Sequence, residues 1–224
     1  MTYSALDHDF IRFINPQDYM KILSYNNDAA CILSLQLIVE RFLNVYLKET
    51  IREDQKEFFG KDSNGEYARE FQGKISVAVA FGLPPLLARA LKHLSRVRNR
   101  FAHDFDHSVD ESKDLAPFIQ LINQFQTFLP PEYSSLNELG PDSGIRAIHS
   151  GSGSFVDIRV KDGLREGFVI ATHHLMTKAG IWLANDLHQR GSLRTRPIDA
   201  STSERLNRMN SETDSLVSGG PSAC

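Results

Sequence analysis

The sequence predicts an all-α fold: a helical bundle of about five main helices, with at most a small peripheral hairpin and a disordered C-terminal tail. Two observations carry that expectation. Several long stretches repeat apolar residues at the three-to-four spacing of a helix, and glycines, prolines and polar runs fall between them. Only Phe155 to Val160 alternates in the manner of a strand.

Taken in order, the apolar patch Phe10, Ile11, Phe13 and Ile14 stops at Asn15-Pro16, because the residue before a proline is pushed out of helical geometry. A short helix, Asp18 to about Ser24, comes next. Asn27 or Asp28 is the expected N-cap of a long helix to about Ile51. Its apolar positions (among them Ile32, Leu35, Val39, Phe42, Leu43, Tyr46 and Leu47) span a wide face, as in the middle helix of a bundle. Arg52 to Glu66 is polar and broken by Gly60 and Gly65, hence a loop. A third helix, Tyr67 to Phe81, turns Phe71, Ile75, Ala78, Val79 and Phe81 inward and closes on Gly82 as its left-handed residue. Pro84 and Pro85 open the fourth helix, where the first amides have no partner to lose, and it runs to about Asp104. After an acidic connection, Leu115 to Leu129 form an amphipathic helix that Pro130-Pro131 stops. Pro131 to Gly163 reads as a loop carrying the hairpin, and Leu164 to Gln189 as a last long helix ended by Gly191. Ser192 to Cys224 has too few large apolar residues to repay the entropy of ordering. The organisation is thus an extension with a short helix (1–26), a bundle domain (27–191) and a tail (192–224).

A net charge of −3 gives no overall pull towards nucleic acid or anionic lipid. No apolar run is expected to reach the length of a membrane span, and the polar start around Asp7-His8-Asp9 is no signal peptide. Cys31 and Cys224 make neither a disulfide framework nor a metal site, so a reducing, cytoplasmic location follows by default.

The chemically specific stretch is Arg98-Asn99-Arg100-Phe101-Ala102-His103, at the end of the fourth helix. Leu87, Leu91, Leu94 and Phe101 draw an apolar stripe, and Arg98 falls next on it after Leu94. A guanidinium there keeps its charge and must find a carboxylate, a carbonyl or a phosphate. Asn99 and His103, four apart, lie one above the other. Arg98, Asn99 and His103 therefore present a cation, an amide and a titratable imidazole within about one and a half turns. A capping cation with a surface histidine explains the same spacing. Glu40 lies in the apolar helix between Val39 and Phe42, and a carboxylate there needs a cation, with Arg98 as the expected partner. The solvated strip of the helix is the alternative. Lys92, Arg96 and Arg100 give the motif helix a basic side that suits solvent or a phosphate track. Arg190, Arg194 and Arg196 could extend that track as a basic arm. His173-His174 point about 100° apart on a helix and, like His188, are expected in the core or at the surface, with no metal and no cofactor.

Arg-Asn-Arg-Phe-Ala-His resembles the arginine-polar-x-x-x-histidine signature of the HEPN superfamily of helical nucleases and their inactive relatives. The order of a long helix with Glu40, then Gly73-Lys74-Ile75 to Phe81-Gly82-Leu83, the motif helix, Pro130-Pro131 and a long closing helix is similar to the mannitol operon repressor family. The resemblance covers roughly 27–189. It implies a dimeric regulator of a sugar operon that acts through protein contacts. For active HEPN members it implies instead a homodimer in which two motif helices share one cleft, with metal-independent RNA cleavage. There His103 would move the proton, Arg98 stabilise phosphoryl oxygens and Asn99 orient them. The partners so implied are a second copy, a regulatory or antitoxin-like protein, and RNA, with no membrane.

Overall fold

The computed structural model describes residues 4–6, 13–25, 27–51, 70–103, 110–148 and 155–197. Its element order is β1 (Ser4–Leu6), α1 (Pro16–Leu23), α2 (Asp28–Thr50), α3 (Phe71–Ala80), α4 (Pro85–His103), a single π turn (Glu111–Leu115), α5 (Ala116–Gln124), a 3-10 segment (Pro131–Leu136), β2 (Gly144–Ile148), β3 (Phe155–Arg159), a 3-10 turn (Val160–Asp162), α6 (Leu164–Gln189) and β4 (Thr195–Pro197). The all-α bundle is what the periodicity predicts. The loop 52–66, the acidic connection 104–109, the glycine-serine run 150–154, Phe10 and Ile11 lie outside the described residues.

α2 is the centre. Asn27 caps it by accepting from the amides of Ala29 and Ala30 at 2.7 and 3.3 Å. Cys31, Ile32, Leu35, Val39, Phe42, Leu43, Tyr46 and Leu47 are buried, and α1, α3, α4 and α6 pack around them. By length and composition alone α2 could cross a membrane, contrary to the expectation that no run is long enough. Half of that stretch is buried among the other helices, and a helix covered on most sides needs that composition inside a bundle as well. Burial also pushes the Cys31 thiol up to about 12.

α6 runs parallel to α2, tied at both ends. Arg165 meets Asp28 at 2.7 Å and the Tyr25 carbonyl at 2.8 Å, and beyond the other end Arg194 meets Glu49 at 2.9 Å. α4 crosses α2 in the opposite sense. The Tyr46 hydroxyl donates to the Phe81 carbonyl at 2.9 Å, just before the turn into α4. Gly82 holds that turn with φ 104°, as expected from its place. Phe118 of α5 and Phe168 of α6 stack at 5.8 Å and join the two remaining walls.

Several boundaries differ from expectation. α1 starts at Pro16 because the Asn15 side chain accepts from the Gln17 amide, which makes the presumed break a capped start. α3 starts at Phe71 after an extended Glu70, and Val79 is exposed rather than inward. α5 stops at Gln124, five residues early. Phe125 leaves helical geometry (ψ 96°), and the Asn123 side chain bonds both the amide and the carbonyl of Leu139, at 2.8 and 3.0 Å. Phe128 consequently points outward and is 74% exposed. The tail boundary also moves. Thr195–Pro197 pairs antiparallel with Ser4–Leu6, and only 198–224 lie outside the described residues. Arg194 (to Glu49) and Arg190 (to Asp186, 2.9 Å) are ion-paired rather than parts of a basic arm.

The paired histidines of α6 belong to the core. His173 bonds the Ile14 carbonyl at 3.1 Å and meets the Tyr19 ring edge-on. His174 bonds the Leu136 carbonyl at 2.8 Å, while His188 is exposed. Both bonds require the ring nitrogen to donate. Burial holds both groups below the usual imidazole range, His174 at about 4, with the Lys178 charge adding to the effect. Because the folded value lies below the unfolded one, the unfolded chain takes up protons first, so stability falls as pH drops from about 6.5 towards 4. Urea denaturation at pH 7, 5 and 4 should show a loss of roughly 3 kcal/mol attributable to His174. His174→Gln keeps a donor for Leu136 and should flatten that part of the profile.

Candidate functional site

Arg98 keeps its place on the α4 stripe but not its burial. Leu87, Leu91, Leu94, Val97 and Phe101 are buried, whereas Arg98 among them is half-buried. Arg98 there opens into a cleft of about 310 Å³ between three helices. Gln36 and Glu40 of α2, Glu70 and Phe71 at the start of α3, and Ser95, Arg98 and Asn99 of α4 line it.

The structure brings together three of the expected residues, Glu40, Arg98 and Asn99, but not in the expected pairing. Glu40 is bonded to Lys74 at 2.8 Å, with the lysine side chain 6% exposed. Lys74 was overlooked in the sequence, although its signal is there. Phe71, Lys74, Ile75 and Ala78 follow one helical stripe, and a cation on that stripe calls for a carboxylate across the interface. With Glu40 taken, the Arg98 guanidinium donates through Nη1 to Asn99 Oδ1 at 2.9 Å, and its Nε is buried without a partner among the described residues. Gln36 Oε1, in the wall of the same cleft, is likewise buried without a partner among them. One donor and one acceptor are therefore unmet, each a cost that a ligand or a second protein surface could relieve.

His103 is the last residue of α4, one helical turn beyond Asn99, and its backbone alone is described. Of the basic side, Arg96 is exposed and Lys92 half-buried, which leaves both facing solvent at least in part. Arg100 has a partner within the chain. It forms an ion pair with the buried carboxylate of Asp114, whose other oxygen accepts from the Asp110 amide at 3.0 Å. His93 donates to the Asp114 carbonyl at 2.7 Å and stacks on Phe118, and burial with the charges of Arg100 and Arg96 holds it below the usual imidazole range. Asp114 was missed because it reads as one more acid in a polar connection. The π turn that buries it leaves no periodic trace. Among the described residues no three His, Cys, Asp or Glu side chains cluster as a metal site.

These pairings set the folding cost of each substitution. Lys74→Met and Asp114→Ala should each lose about 1–3 kcal/mol in urea titrations, having stripped a buried polar group of its partner. Arg98→Met should stay within about 1 kcal/mol of wild type, because no described carboxylate is paired with it.

No protein-family model, no curated protein and no solved structure matches the chain, so its family is not assigned by likeness.

Proposed function

We infer that the chain is a regulatory protein of the mannitol-operon-repressor type, cytoplasmic, working as a homodimer through protein contacts. The carrying observation is the composition of the cleft and its border. Arg98 shares it with two carboxylates, Glu40 and Glu70, and the exposed leucines Leu33 (40%) and Leu37 (58%) lie on the adjoining strip of α2. Carboxylates repel a phosphate backbone, whereas a mixed-sign recess beside an apolar strip suits another protein surface. Two copies related by a two-fold axis could satisfy Arg98 of each with a carboxylate of the other. The loss of Arg100, Arg190 and Arg194 to internal ion pairs points the same way, since it removes much of the basic track.

Sedimentation at micromolar concentration should give a dimer for the wild type and a monomer for Leu37→Glu, with unchanged circular dichroism. A monomeric wild type sinks the assembly.

A second reading is a metal-independent endoribonuclease, supported by the Arg98–Asn99 contact one turn from His103. Incubation of several RNAs with wild type and His103→Ala in excess chelator separates the two. Intact RNA in both is the expected outcome for a regulator. Cleavage by the wild type that falls about a hundredfold in His103→Ala would replace the regulatory reading with the nuclease.

A further inference from the structure

A second recess lies away from the Arg98 cleft, about 490 Å³ in volume, where the π turn and α5 face the connection into α6. Leu115, Ile119, Leu139, Val160 and Leu164 form its walls, which makes it mostly apolar. Its size and character are those of a small-molecule site: an apolar body with a few polar groups at the edge. Among the described residues two charged side chains line it, Glu111 and Lys161, both exposed. They are not equivalent. Lys161 is bonded to Asp142 at 2.5 Å, with Arg159 also near that carboxylate, whereas Glu111 forms no ion pair among the described residues. A further carboxylate, Glu166, folds back against Gly163 in the wall. The uncompensated charge at the rim is therefore negative.

We propose that this recess binds a small organic ammonium: an aliphatic or aromatic amine whose apolar body lies among Leu115, Ile119 and Leu164 while its charge pairs with Glu111. The recess is coupled to the motif helix by its own wall. Leu115 is packed against α6, since a Cβ at Gly167 would stand 2.5 Å from its Cδ2. The residue before it, Asp114, holds Arg100 through its carboxylate and His93 through its carbonyl. Both partners belong to α4, which carries Arg98 and Asn99 into the other cleft. An occupant that displaces Leu115 acts on the π turn and through it on α4. That effector role rests on the regulatory reading, but the binding site itself does not.

The test is titration of the full chain with n-hexylammonium, n-hexanol and hexanoate, followed by calorimetry and by the arginine Nε–H signals in a nitrogen–proton correlation spectrum. The ammonium should bind about tenfold or more tighter than the alcohol, and hexanoate weakest. Glu111→Gln should bring ammonium and alcohol level, a loss on the scale of one charge-assisted contact. Ile119→Trp fills the recess and should abolish binding of all three; Leu164→Trp does the same from the other wall should the first variant unfold. The Arg100 signal should move on binding. Absence of binding by every probe, or preference for hexanoate, overturns the site. Binding with a static Arg100 signal overturns the coupling to α4 and leaves the site standing. Sedimentation of Leu37→Glu tests the regulatory reading without touching this recess.

Discussion

A helix that is apolar round most of its circumference cannot sit on a surface, and α2 is such a helix. Its burial dictates the layout, since α1, α3, α4 and α6 each cover part of it. The hydrophobic term behind this is about 1.5–3 kcal/mol for each large side chain, so Phe42, Leu43 and Tyr46 together outweigh any single polar contact in the molecule. The consequence for the site is positional. The one carboxylate near the middle of α2, Glu40, is carried into the space between α3 and α4 by the residues around it, and its neighbourhood becomes a recess.

Polar groups drawn into such a bundle must be matched one by one. Lys178 is fully buried and reaches the Ile122 carbonyl at 3.0 Å with its charge 5.6 Å above the Phe125 ring. Burial lowers its pKa, which reduces the cost of holding it there. Lys74 takes Glu40, Asp114 takes Arg100, and the α6 histidines take carbonyls. Against that background Arg98 stands out by what its Nε lacks. In most interiors an unmet guanidinium nitrogen would have been removed or paired, because it costs on the order of 1–3 kcal/mol. Its retention at the wall of an open recess, beside an unmet glutamine oxygen, is the physical basis for reading the cleft as functional.

The bundle was legible because helical periodicity survives in the sequence wherever a helix has one dry side. α2, α4 and α6 were recoverable almost to the residue for that reason, and Gly82 and Gly191, both with positive φ, marked their turns. The failures share a cause, which is that they depend on partners distant in the chain. Stopping α5 at Gln124 needs Leu139 in place to engage Asn123. Choosing Lys74 over Arg98 for Glu40 needs α3 in place to bring Lys74 within 2.8 Å of it. The ordered stretch to Pro197 needs a strand from the opposite part of the chain. Of the candidate site, the residue identities were visible in the sequence and the pairings among them were not. A side chain's polarity is local, but its partner is a property of the packing.

The pairing of Ser4–Leu6 with Thr195–Pro197 bears on synthesis as much as on architecture. A ribosome delivers the first of these segments long before the second, so β1 cannot pair until the strand that completes it has been made. Closing so long a loop from an unfolded chain would add an entropic cost that grows as (3/2)RT ln n, about 5 kcal/mol at this separation. Once the helices between them have packed, with Asp28–Arg165 and Glu49–Arg194 holding α2 and α6 in parallel, the loop left to close is shorter and part of that cost has been met. The small sheet therefore joins two distant segments at least entropic cost when the bundle between them is already packed.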